Sequence, residues 1–172
     1  MRAEFKVILF SFIFLGISIV LQSTVFEYIA INGIKPDISL IVLIFISVRK
    51  GSMSGQISGF GCGLMEDFIC GPYLGFHSII KAVIGFFYGL IQGSFFIDPF
   101  LLPILLLFIG TIVKSIIYGS IVILFSIPAP DFEIFAGSVG IEIIYNSLLA
   151  PFIFAFLKLF KIFKPQKDRE II

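Results

Sequence analysis

Apolar residues run through this chain in long blocks, and the few polar residues between them mark where each block stops. Six blocks stand out, at about 7–25, 36–49, 51–70, 76–97, 101–126 and 137–160. A helix needs roughly 20 residues to cross the ~30 Å hydrocarbon core of a bilayer, and most of these blocks reach that length. A membrane barrel would instead show segments of about ten residues alternating apolar and polar, and no such alternation is visible. The pattern predicts an all-α, polytopic membrane protein: one domain over residues 1–172, a bundle of six transmembrane helices, with a short basic tail at about 161–172. The second block is the weakest, because its apolar core covers only 38–48. It must borrow flanking residues, thin the bilayer or sit behind neighbours. Its start is sharply marked, with Pro36 suited to a first helical turn and Asp37 at the positive end of the helix dipole.

Composition agrees with a membrane setting. Hydrophobic residues make up 59% of the chain and charged residues 13%, too little polar surface to coat a soluble domain of 172 residues. The first block follows Arg2 and Lys6 as a secretion signal would, but it lacks a small-x-small cleavage site and reads as a retained helix. Charge sets the orientation. With six crossings Arg2, Lys6, Arg49, Lys50, Lys158, Lys161, Lys164, Lys167 and Arg169 fall on one side and Lys35 on the other. The positive-inside rule then puts both termini in the cytoplasm, and Glu27, Asp131 and Glu133 outside. The lysines interleaved with Phe160, Ile162 and Phe163 suit a helix end meeting lipid headgroups. Membrane lipid is thus an expected companion and nucleic acid is not.

The third block carries the most distinctive pattern, with Gly51, Gly55, Gly59 and Gly63 at strict four-residue intervals and Asp67 and Gly71 continuing the register. On a helix these positions form one slowly drifting groove where another backbone can approach closely. In water such a helix would lose about 1 kcal/mol per glycine relative to alanine, so the stripe makes sense where small-residue contact drives association. Two occupants are open: a helix of the same bundle, or a different subunit.

Four charged residues within the predicted spans stand out. Asp67 closes the groove, and Lys81, about one turn inside the fourth span, is its expected partner across the Gly71–Gly75 turn. Lys114 sits near the middle of the fifth span, where an unpaired lysine costs about 2.5–3.5 kcal/mol on insertion scales, so it must face protein. Glu142 is the nearest acid to it and enters the same outer layer as Asp67. Such charges hold geometry or form a solute or proton site. His77 stands alone near a helix start, and Cys62 and Cys70, eight residues apart on one helix, lie ~12 Å apart by helical rise, beyond disulfide reach. No catalytic constellation, metal-ligand set or phosphate-binding glycine loop is evident, so no enzyme activity, metal or cofactor is expected.

Lys35-Pro36-Asp37, followed after Arg49-Lys50 by Gly51, Gly55, Gly59-Phe60, Gly63-Leu64, Asp67, Gly71 and Leu74-Gly75, resembles the rod shape-determining protein MreD family. The family pattern of a Pro-Asp opening one helix and Gly-Phe-x-x-Gly-Leu-x-x-Asp on the next is met at every element. Glu66, beside Asp67, stands where the family is usually apolar, which leaves open which acid carries the role. The resemblance implies a non-enzymatic scaffold subunit of the bacterial elongation complex in the cytoplasmic membrane. It would control cell shape by linking MreC, the actin-like MreB filaments and a glycosyltransferase/transpeptidase pair of peptidoglycan synthesis. It also implies a fold like the six-helix substrate-binding subunits of energy-coupling-factor transporters. A small-solute or lipid-binding subunit of such a transporter is therefore the rival reading.

Overall fold

The computed structural model describes residues 2–70, 73–93, 100–128, 131–160 and 162, and of residues 2–5 and 70 the backbone alone. Among them the chain forms six α-helices: α1 (Arg2–Thr24), α2 (Ile38–Lys50), α3 (Ser52–Cys70), α4 (Phe76–Leu90), α5 (Leu101–Leu124) and α6 (Phe132–Lys158). A short 3-10 turn at Phe26–Ile29 follows α1. By length and apolarity Lys6–Thr24, Leu101–Leu124 and Phe132–Lys158 are long enough to cross a membrane, while Phe76–Leu90 is apolar but shorter.

The second helix is the axis of the bundle. Every residue from Ile38 to Ser47 is buried, because a helix apolar on all sides has no face to offer water and is stable only when enclosed. Helices α1, α3, α4, α5 and α6 all pack against it. At 13 residues α2 is only about 20 Å long by helical rise, and its enclosure explains how so short a segment can stand at the centre: it sits behind neighbours. Its side chains Leu40, Leu43, Ile44 and Phe45 form the middle of the core, joined by Leu15, Ile84, Leu107 and Phe154 from the surrounding helices. Phe45 and Phe154 meet edge to face at 5.1 Å. The outward faces of the surrounding helices keep large apolar residues exposed, among them Ile17, Phe60, Phe87, Leu105 and Phe152, as expected where the solvent is lipid.

Glycine makes the joint between α2 and α3. Gly51 ends α2 with φ +89°, a conformation that costs glycine little, and α3 starts at the next residue. The fourth helix is shorter than its apolar block. It ends at Leu90, followed by a turn in which Gly93 has φ +74°, and residues 94–97 of the expected span lie outside the described residues. So do Gly71-Pro72, Asp98-Pro99, Ala129-Pro130 and nearly all of the basic tail. The sixth helix begins at Phe132, five residues before its apolar block, and carries Pro151 within it.

Candidate functional site

The glycine stripe is filled by the chain itself. Helix α4 lies along it so closely that a Cβ on Gly59 would stand 2.7 Å from the Lys81 carbonyl carbon. One on Gly55 would collide with the Gly85 carbonyl, and one on Gly63 with the His77–Ser78 backbone. Gly51 faces the Gln92 side chain. The approach is reciprocal, since a Cβ on Gly85 would stand 2.6 Å from the Gly55 carbonyl carbon and one on Gly89 would meet the Gly51–Ser52 backbone. Of the two occupants open from sequence, the one observed is a helix of the same bundle. Gly85 and Gly89 repeat the four-residue spacing on the partner helix, a signal present in the sequence but unused in reading it.

The carboxylate at the end of the stripe does not pair with Lys81. Asp67 instead caps α4. Its Oδ1 accepts from the His77 backbone N–H at 2.9 Å and lies 2.8 Å from His77 Nδ1, while its Oδ2 accepts from Gly75 N–H at 2.9 Å, Ser78 N–H at 3.2 Å and Ser78 Oγ at 2.8 Å. Gly75, with φ +93°, turns the backbone so that these donors converge. A carboxylate at a helix N-terminus answers donors that have no partner within the helix and meets the positive end of its dipole. The hairpin between α3 and α4 is thus closed by backbone amides, not by a lysine.

Lys81 turns inward to the neighbouring acid. Its ammonium lies 2.5 Å from Glu66 Oε1 and 3.6 Å from Asp37 Oδ1, and it donates to Ser39 Oγ. Glu66, the position where the chain departs from the family pattern, is therefore the buried partner. Lys114 continues the line, 2.7 Å from Asp37 Oδ2 and 2.5 Å from Glu142 Oε1. Acid and base alternate through Glu66, Lys81, Asp37, Lys114 and Glu142, drawn from α3, α4, the start of α2, α5 and α6. Each lysine bridges two carboxylates, and Asp37 belongs to both halves. Pro36 immediately precedes Asp37, whose Oδ1 accepts from Leu40 N–H at 2.9 Å as the cap of α2.

Neutral polar groups complete the network. Ser39 lies 2.7 Å from Asp37 Oδ1 and 2.6 Å from Glu66 Oε1. Asn146, fully buried, accepts from the Asp37 backbone N–H at 2.8 Å and donates to Thr111 Oγ1 at 3.0 Å. Asn146 and Thr111 escaped the sequence reading, although Asn146 stands one helical step beyond Glu142, on the same face. Removing one member of a buried ion pair leaves its partner charged and unanswered, which is far more costly than the pair is stabilising. The cluster thus fixes five elements in one arrangement. It lies beside the α1–α2 connection, where Lys35 pairs with Glu27 and Tyr145 donates to the Ile29 carbonyl at 2.6 Å. Cys62 is buried and unbridged, with its thiol 3.9 Å from Lys81 Nζ.

Comparison with known proteins gives one family. The family described as rod shape-determining protein MreD matches residues 2–160, a span that takes in all six helices. No curated protein and no solved structure matches the chain.

Proposed function

The chain belongs to the rod shape-determining protein MreD family, and from that premise we propose that it is a non-enzymatic scaffold of the bacterial elongation complex, linking MreC, MreB and the glycosyltransferase/transpeptidase pair. A role in rod-shape determination follows from the family. The finer assignment draws support from the architecture: the described residues are spent on a tightly keyed helical bundle, and the large outward surface is apolar helix face. A protein built this way acts on other membrane proteins through lateral contact.

In the same reading all six helices cross the cytoplasmic membrane as a single domain, with both termini and the Arg49-Lys50 turn inside. The short α2 and α4 are compatible with this because α2 is enclosed by protein and α4 lies against α3 along its glycine face. Partner contact then falls to the outward faces, since the stripe of Gly51, Gly55, Gly59 and Gly63 is taken by α4. Pro36, Asp37, Asp67, Lys81, Lys114 and Glu142 hold the shape of the bundle.

The observation that carries the proposal is the family match over residues 2–160. Depletion of the protein tests it: cells should round up, and MreC should no longer co-purify with the peptidoglycan synthases. A depleted strain that stays rod-shaped with those complexes intact would overturn it.

A further inference from the structure

Beside the charge network lies a cavity of about 280 Å³, bounded by the first turns of α4 and α6, the middle of α5 and Ile34 of the α1–α2 connection. Lys114 and Glu142 reach it from the network, Tyr118 and Phe135 form an aromatic side, and Ser138 stands among its lining residues. The two lysines that touch the cavity are already answered, Lys81 by Glu66 and Ser39, and Lys114 by Asp37 and Glu142. The acids are not. Three carboxylates share two ammonium groups, so one carboxylate has no cation of its own.

The network meets the cavity through one of these carboxylates. Glu142 is the network acid that lines the cavity. Its Oε1 takes Lys114 and, at 3.4 Å, Asn146, whereas its Oε2 accepts no hydrogen bond from the described residues. Around it the cavity offers acceptors. Ser115 and Ser138 give their protons to carbonyls of their own helix, at 2.8 Å and 2.7 Å, and leave oxygen lone pairs free. Tyr118 and Phe135 are stacked on each other at 5.6 Å and wall this side of the cavity. An anion would meet a carboxylate without a cation of its own here; a cation would find a carboxylate oxygen and hydroxyl acceptors together.

We propose that this cavity binds an ammonium group. At the small end of ligand pockets, it has room for a headgroup amine but not for acyl chains. Its α4 residues, His77, Ile80 and Lys81, stand in the first turns of that helix, and its α6 residues, Phe135 to Glu142, within the first three turns of theirs. Two sources carry this chemistry, the headgroup of phosphatidylethanolamine and a free small amine. The proposal stands apart from the partner-linking reading, since it would hold whether or not MreC binds this protein.

The test uses the full chain, purified in mild detergent and offered equal amounts of phosphatidylethanolamine and phosphatidylglycerol, with retained lipid read by native mass spectrometry. The expected result is a preference of about tenfold for phosphatidylethanolamine, reduced to parity by Glu142→Gln. Because Glu142 also pairs with Lys114, Ser138→Leu serves as a second variant that fills the cavity without touching an ion pair, and it should abolish the preference equally. In a parallel arm, a rise in the thermal unfolding midpoint on adding ethanolamine, lost in both variants, would support the ammonium site and assign it to a soluble amine. Equal retention of the two lipids with no response to ethanolamine would overturn the proposal, as would a preference or response that survives both variants.

Discussion

Replacing Gly59 by alanine adds one methyl group where the structure has no room for it. The new Cβ would stand 2.7 Å from the Lys81 carbonyl carbon and 3.2 Å from the Ala82 nitrogen. Carbon contacts settle at about 3.5–4.0 Å, so α3 and α4 must part by roughly 1 Å, and a gap of that size forfeits about a quarter to a half of each contact's attraction. Since both obstructing atoms are backbone, no side chain can swing aside. Overpacking of this kind costs up to about 3 kcal/mol, and alanine's better helix propensity returns about 1 kcal/mol. The net loss is ~2 kcal/mol, about 30-fold in the ratio of folded to unfolded protein. Gly119 supplies the control, because a Cβ there meets nothing within 4 Å, and Gly119→Ala should be neutral or stabilising by up to ~1 kcal/mol. Both variants can be compared by helicity as SDS is titrated into dodecyl maltoside micelles. A Gly59→Ala protein as resistant as Gly119→Ala would refute the close α3–α4 contact.

The ion network makes its own predictions in the same titration. Lys81→Met leaves Glu66 with no ammonium beside it and Asp37 with Lys114 alone, and should cost about 3–5 kcal/mol; a midpoint like that of the unaltered protein would contradict the pairing. In double-mutant cycles Lys81→Met should couple to Glu66→Gln by at least ~1 kcal/mol and combine with Asp67→Asn within ~0.5 kcal/mol of additivity. The opposite order would restore Asp67 as the lysine's partner. Asp67→Ala removes the cap of α4 and should cost about 1–2 kcal/mol, seen as faster amide exchange at Gly75, His77 and Ser78; unchanged exchange would argue against the cap. Lys114→Met should be partly rescued by Glu142→Gln, because the second change removes the charge stranded by the first, and a double variant worse than either single would count against that pair.

Much of the fold could be read from the chain because each signal was local. Block lengths located six helices, Pro36-Asp37 marked the start of α2, and the shortness of block 38–48 pointed to enclosure as one of three solutions. Lys114 was expected to face protein, with Glu142 the nearest acid in reach, since a lysine at that depth is costly unless it is paired or snorkels. What sequence spacing could not decide was direction around a helix end. Asp67 and Glu66 are adjacent, so they project about 100° apart on α3, and only the approach of α4 determines which meets the lysine and which meets the amides. The stripe posed a similar problem, because small-residue spacing specifies close approach without naming the occupant. Gly85 and Gly89 would have named it, as a matching run on the next helix. Asn146 and Ser39 were invisible as network members because neutral polar residues in an apolar helix become informative only when the charges they serve are in place.

If the stripe is an internal seam, loss of partner binding in stripe variants must follow loss of fold. The decisive measurement is the amount of MreC recovered per folded molecule, with Gly59→Ala and the unaltered protein expressed alongside MreC and the folded fraction determined on the same preparation. The expected result is an unchanged ratio, with total recovery falling only as far as the folded fraction falls. A Gly59→Ala protein that is fully folded yet fails to bring down MreC would show that the stripe is a partner surface after all.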